Sequence, residues 1–150
     1  TLYYGEPLGV VTMDAPAGEV YSIAFADKEG TLVDDKVANG LRVSVLELEK
    51  PMKPGDVKKY EEGIAQAVEG IVAGLPEGKA TGEVTTLTLN GAPAFVVDYE
   101  VSISGEPGVG RLYVVIKGEK EYHLTLLAVT ADWEKLEPVM EKAARSFRLD

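Results

Sequence analysis

YHLTLLAVTADWEKLEPVMEKAARSFRLD, residues 122–150, is the stretch whose reading decides the fold. Leu124, Leu126 and Ala128 fall on one face of an extended strand, and Leu127 and Val129 fall on the other. A strand that is apolar on both faces belongs inside a sheet, not at its edge. Trp133, Leu136, Met140, Ala143, Ala144 and Phe147 then recur at helical spacing, with Glu134, Lys135, Glu137, Glu141, Lys142 and Arg145 opposite them. That helix is expected to lie on the sheet. A proline inside a helix lacks an N–H and clashes with the carbonyl four residues back. Pro138 therefore predicts an irregular turn over residues 132–137 that plants Trp133 on the sheet, with the helix proper starting near Pro138. Trp133, Pro138 and Phe147 are read as structural residues.

Upstream, a meander leads into this segment. Residues 81–89 read as a strand with Leu87 and Leu89 inward, and Asn90-Gly91 is a strong two-residue hairpin signal. Phe95, Val97, Tyr99, Val101 and Ile103 alternate against Val96, Asp98, Glu100 and Ser102, which predicts a strand buried on one face. Ser104-Gly105-Glu106-Pro107-Gly108 turns it into a strand through Leu112, Val114 and Ile116, and Gly118-Glu119-Lys120 turns that into the closing strand. Sequential hairpins make this half antiparallel.

Before the meander, Pro51 and Pro54 precede a helical stripe of Val57, Tyr60, Ile64, Val68, Ile71, Val72 and Leu75, with Asp56 as the expected N-cap. Gly63 and Gly70 interrupt it and suggest close packing against another backbone. Leu41, Val43 and Val45 predict a strand whose phase shifts near Leu46, as at a bulge. Tyr21, Ile23 and Phe25 predict another, closed by a turn at residues 27–30, and Val10 and Val11 fit a short strand. Strands, a long helix, four strands and a final helix make an α+β fold, with helices against an antiparallel sheet.

With 150 residues the chain suits one domain, residues 1–150, with enough length for a real core. Its net charge of −10 would repel a phosphate backbone, which excludes nucleic acid as the expected partner. No apolar run approaches the roughly 20 residues of a membrane span. The absence of Cys removes disulfides, thiolate zinc sites and cysteine nucleophiles together. Asn and Gln are scarce (Asn39, Asn90, Gln66) beside abundant Glu, Lys and Val, a composition like that of thermophile proteins. The opening at Thr1 without Met is expected of a form trimmed of a leader, which could have carried a lipid anchor.

Few residues point to chemistry. Gly105, Gly108 and Gly110 resemble a phosphate loop only in composition, because a strand follows them and not a helix N-terminus. His123 is the sole histidine, so a hydrolase would have to use it as base together with carboxylates; no GxSxG surrounds any serine. On a strand beside Tyr122 it reads as a hydrogen-bonded structural histidine. Glu47 with Glu49, and Asp98 with Glu100, lie two apart on strands and project to one face. They are the candidate ligands for a hard cation such as Ca²⁺ or Mn²⁺, and equally suit a solvated surface. Asp34-Asp35 and Glu61-Glu62 complete the carboxylate pairs, and Tyr3-Tyr4 reads as packing. No cofactor motif is present.

The closing ADWEKLEPVMEKAARSFRLD resembles the C-terminus of PsbP-like proteins, the family of the extrinsic P subunit of the photosystem II oxygen-evolving complex and its bacterial relatives. Trp133 after the turn, the helix through Ala144 and the Ser146-Phe147 pair carry the resemblance, and NGAPAFVVDYEV is similar to that family's turn before its long central strand. The likeness covers residues 81–150 well and the long helix loosely. It implies an α/β/α sandwich with an antiparallel sheet between helices. The wider superfamily includes extracytoplasmic lipoproteins and a Ran-binding import factor, and some members bind Ca²⁺, Mn²⁺ or Zn²⁺. The resemblance thus implies a non-catalytic accessory domain or protein-binding adaptor outside the cytoplasm. A small-ligand carrier, with its pocket between sheet and helix, is the alternative that the residues leave open.

Overall fold

The computed structural model describes residues 8–11, 21–27, 32–33, 36–37 and 39–148. Tyr3-Tyr4, Asp34-Asp35 and the turn after Asp27 lie outside them. In chain order the elements are β1 (Leu8–Val11), β2 (Tyr21–Asp27), β3 (Leu32–Val33), β4 (Lys36–Val37), β5 (Gly40–Met52), α1 (Pro54–Lys59), α2 (Glu61–Ala73), β6 (Lys79–Ala80), β7 (Thr85–Leu89), β8 (Ala92–Ile103), β9 (Glu106–Val129) and α3 (Thr130–Arg145). Seven strands form one sheet in the order β1-β2-β5-β9-β8-β6, with β7 also on β8, while β3 and β4 pair apart from it. Every pairing between these strands is antiparallel.

Two apolar layers sandwich the sheet. On one face Leu41, Val43, Tyr113, Val115, Leu124, Leu126 and Ala128 pack with Leu136, Met140, Ala143, Ala144 and Phe147 of the closing segment. On the other, Phe95, Val97, Tyr99, Val101, Leu112 and Val114 pack with Val57 of α1 and Val68 and Val72 of α2. This is an α/β/α arrangement, with the doubly apolar closing strand in the middle as its sequence requires. β8 is covered more fully than its alternation suggests. Ala92 and Ala94 are buried and Val96 is half-buried against the α3 layer.

β9 runs unbroken from Glu106 to Val129, yet its first half pairs with β8 and its second with β5. A straight strand rising ~3.3 Å per residue would hold Gly110 and Leu126 roughly 50 Å apart. Instead, a methyl placed on Gly110 would lie 2.5 Å from the Leu126 carbonyl oxygen. The segment therefore doubles back at Gly118, whose φ is +63°, at the turn expected from Gly118-Glu119-Lys120. The glycine spacing has a packing cause as well. Gly110 leaves room for the Tyr99 ring, and Gly108 leaves room for Ile103.

Several local expectations are corrected. The first helix is two, with the break at Tyr60, which is 51% exposed with its ring beneath Lys59 Nζ at 5.3 Å. Lys53, not Asp56, caps α1; Asp56 lies one turn in, and its carboxylate accepts from the Lys53 N–H at 3.1 Å. Residues 81–84 are not strand, so the predicted strand survives only as β7 after the short β6. Pro138 does not start the last helix, which runs unbroken from Thr130. Glu134 and Pro138 are both exposed, so the carbonyl that the proline leaves without its helical donor lies on the solvent side of the helix.

Gly63 and Gly70 are exposed, and a methyl on either would meet nothing within 4 Å. The close packing expected of them is absent among the described residues, so there they only loosen the helix. Gly63→Ala and Gly70→Ala are each expected to raise stability by about 0.5–1 kcal/mol, read as higher urea midpoints at constant slope. Among the described residues no helix is long and apolar enough to cross a membrane.

Candidate functional site

The densest polar cluster sits where α3 crosses β8 and β9. Counting outward from the Ser104-Gly105 turn pairs Asp98 with Arg111 across the ladder. Arg111 Nε donates to Asp98 Oδ1 at 2.7 Å, and its Nη1 donates to Glu137 Oε1 and Glu141 Oε2, both at 2.8 Å. One helical turn separates Glu137 from Glu141, so both carboxylates reach the same guanidinium. Tyr113, two residues along β9 from Arg111, donates its hydroxyl to Glu141 Oε1 at 2.5 Å, and Arg145 Nε donates to the same oxygen at 2.8 Å. The Arg111 guanidinium lies 5.8 Å from the Trp133 ring centre, a cation–π distance.

Arg111, Glu141 and Tyr113 are held in their ordinary ionisation states. The Asp98 hydrogen bond raises Arg111 further above its usual value, more than partial burial lowers it, and Glu141 and Glu137 add to the rise. Burial pushes the Glu141 carboxyl up, but hydrogen bonds from Tyr113, Arg145 and Arg111 together hold it below the usual carboxylate value. Burial, then the bond to Glu141, raises the Tyr113 phenol. The cluster fastens α3 to the sheet, and Arg111, Glu141 and Tyr113 are not poised to exchange a proton near neutral pH.

Two asparagines fasten the ends of the same helix. Asn39, 5% exposed, donates from Nδ2 to Asp132 Oδ2 at 3.0 Å and accepts the Val129 N–H at 2.9 Å, at the helix start. Asn90 donates from Nδ2 to the carbonyls of Arg145 and Phe147, at 3.0 and 2.6 Å, at its end. These roles span most of the chain, and their sequence signal is slight. The scarcity of amides made the two stand out, and Asn90-Gly91 also marked a hairpin, but neither signal pointed to α3.

His123 bonds Glu121, two residues back on the same strand, with Nε2 and Oε1 3.0 Å apart. Ser44, which is buried, lies directly across the ladder from it. Serine, histidine and glutamate thus share one face, but no hydrogen bond joins Ser44 to His123. Glu47 and Glu49 are exposed near the far end of β5, and Asp98 and Glu100 are exposed on β8. The four candidate ligands are not brought together, and Asp98 already serves Arg111. Among the described residues no group of three or more His, Asp or Glu is arranged to hold a metal ion.

Beyond the end of α2, none of the described residues covers the sheet face opposite α3. Leu75, Pro76, Tyr99, Val101, Ile103 and Leu127 enclose most of a cleft of about 490 Å³, with Arg42, Ser102, Ser104 and Thr125 at its polar margin. Its volume falls in the usual range for small-molecule sites. Its wall is set by the segment after α2, where the Pro76 carbonyl accepts from the Ser102 N–H at 2.9 Å.

No protein-family model matches the sequence, and no curated protein matches it. Solved structures do. LpqN, involved in cell envelope biogenesis of Mycobacterium tuberculosis, matches with a TM-score of 0.65 at 12% identity, over 96% of this chain and 79% of that one. Cyanobacterial PsbP from Synechocystis matches at 0.63 and 15% identity, over 99% and 85%. A Pseudomonas aeruginosa protein of unknown function matches at 0.57 and 14% identity, over 99% and 86%.

Proposed function

Starting from a chain with the PsbP-like fold, we propose a non-catalytic accessory domain that works by holding another protein outside the cytoplasm. One observation carries the reading: the side chains best equipped for chemistry are occupied in holding α3 on the sheet. Among the described residues His123 has a carboxylate partner but no bonded nucleophile. The involvement of LpqN in cell envelope biogenesis supports the compartment. The net charge of −10 favours a basic protein face over nucleic acid.

A photocrosslinking residue placed in turn at exposed positions, in the protein's own cells, is expected to give a few discrete protein adducts. Adducts at no position would overturn the reading. So would a turnover found by substrate screening that His123→Ala abolishes while leaving the thermal melt intact. No resident metal is part of the proposal: titration with Ca²⁺ or Mn²⁺ is expected to leave the melt unchanged, and an upward shift that Asp98→Asn or Glu47→Gln removes would refute that.

A second reading, a carrier of small apolar ligands, is favoured by the cleft beyond α2. An environment-sensitive apolar dye is then expected to bind in a way that Leu127→Trp blocks by filling the cleft. Binding indifferent to that change would remove this reading.

A further inference from the structure

β7 is an edge strand among the described elements, pairing with β8 alone. The two-residue turn at Asn90-Gly91 makes Leu89 and Ala92 its first hydrogen-bonded pair. Alternation then turns the N–H and C=O of Thr85, Leu87 and Leu89 toward β8 and leaves those of Thr86 and Thr88 facing outward. Folded proteins usually guard such an edge with lysine, proline, a bulge or a covering segment. β7 reads Thr-Thr-Leu-Thr-Leu and keeps a regular register over all its pairs, so it has no such residue and no bulge.

Each face of this edge opens into a cleft. Toward α1 and α2, about 340 Å³ lies between Val57, Lys58 and Glu61 on one side and Thr86, Thr88 and Phe95 on the other, with an apolar floor of Val57 and Phe95. Toward α3, about 350 Å³ is bounded by Glu83, Thr85, Val96, Tyr113 and Glu141. Carboxylates outnumber cations there: Asp98, Glu137 and Glu141 face Arg111 and Arg145, and Glu83 at the rim makes no ion pair among the described residues. A strand laid along β7 would send alternate side chains into the two clefts.

We propose that the β7 edge is a strand-addition site for an extended segment of a partner protein in which basic residues alternate with aliphatic ones. The aliphatic side chains enter the cleft floored by Val57 and Phe95, and the basic ones approach Glu83. Main-chain bonds to Thr86 and Thr88 supply affinity, and the clefts supply selectivity. A second copy of the chain is the disfavoured occupant, because each copy carries a net charge of −10 and would bring its own Glu61 and Glu83 to the contact. The proposal rests on the accessory reading and names its docking surface.

The test uses the whole chain and a capped seven-residue peptide alternating lysine and valine, followed by amide exchange and fluorescence anisotropy. Saturable binding that slows exchange at Thr86 and Thr88 is expected, and N-methylation of the peptide's bonding amides should abolish it. Thr86→Pro removes an outward N–H without touching a bond to β8, and is expected to weaken binding roughly tenfold or more. Thr88→Lys serves the same purpose if the proline variant melts early. Glu83→Lys should weaken the lysine peptide and favour a glutamate–valine one. Absence of saturable binding, or binding with exchange at Thr86 and Thr88 unchanged, overturns the site. A dimer that Thr86→Pro dissociates would make a second copy the occupant and overturn it too. Crosslinks in cells that arise only far from β7 would sink this surface while leaving the accessory reading standing.

Discussion

Phe147→Ala is expected to destabilise the protein by about 3–5 kcal/mol, read as a lower urea midpoint, with a fall in melting temperature on the order of 10 °C. The ring follows the end of α3, is 6% exposed, and lies with its centre 5.6 Å from that of Tyr122, tilted 54°. It belongs to the apolar layer that joins α3 to β5 and β9. Alanine would leave a cavity where helix and sheet converge, and the Phe147 carbonyl that accepts from Asn90 would lose its packing support. A loss under about 1 kcal/mol would mean that the ring is not a core residue. Trp133, read from the sequence as equally buried, is only half-buried and shares its ring with Arg111. Its replacement by alanine is expected to cost less than that of Phe147, and the reverse order would contradict this placement.

The second large effect is expected at Arg111. Its side chain is 20% exposed, with Glu141 and Glu137 similarly sheltered at 21% and 28%, while Asp98 is 51% exposed. Removing one partner of a fully buried pair costs about 3–5 kcal/mol, and exposure screens part of that here. Arg111→Met, which keeps the aliphatic stem, is therefore expected to cost about 2–3 kcal/mol at neutral pH. The pH dependence distinguishes this origin from lost packing. Glu141 has a lowered folded-state pKa, so its contribution is present above its ordinary value of 4.5 and is lost as pH falls through the folded value. In Arg111→Met that lowering shrinks. The stability gap between wild type and variant should be widest near neutral pH and narrow as the solution is acidified below about 4.5. A gap independent of pH would assign the loss to packing instead.

Much of the architecture was legible because periodicity reports burial. The doubly apolar run at Leu124–Val129 placed its strand inside the sheet, and the stripe from Leu136 to Phe147 placed α3 on it. Asn90-Gly91 marked a turn whose two φ values are +47° and +89°. Local rules failed where solvent decided the outcome. Tyr60 fits an apolar stripe by spacing, yet the chain breaks its helix there and leaves the ring exposed. Pro138 reads as a helix start, yet an exposed position lets the helix carry it. The polar fastening of α3 was the least visible part. Asp98 opposite Arg111 follows from counting back from the Ser104-Gly105 turn, but Glu137 and Glu141 meet that arginine only once the helix has been laid across the sheet. The β7 edge was invisible for a similar reason: whether a strand has one neighbour or two is a property of the topology.

The hairpin that latches α3 also gives the fold a chemical lifetime. An asparagine followed by glycine cyclises readily, since the glycine nitrogen can attack the side-chain carbonyl unhindered; ammonia leaves, and hydrolysis gives an acid. Two such pairs exist, Asn39-Gly40 and Asn90-Gly91. Asn39 is buried within a bonded strand start, whereas Asn90 stands exposed at a turn. Ageing in mild alkali should therefore convert Asn90 first and place a carboxylate against the Arg145 and Phe147 carbonyls that its amide now serves. An old preparation would be more acidic and less securely closed than a fresh one, with a lower-melting fraction separable by anion exchange.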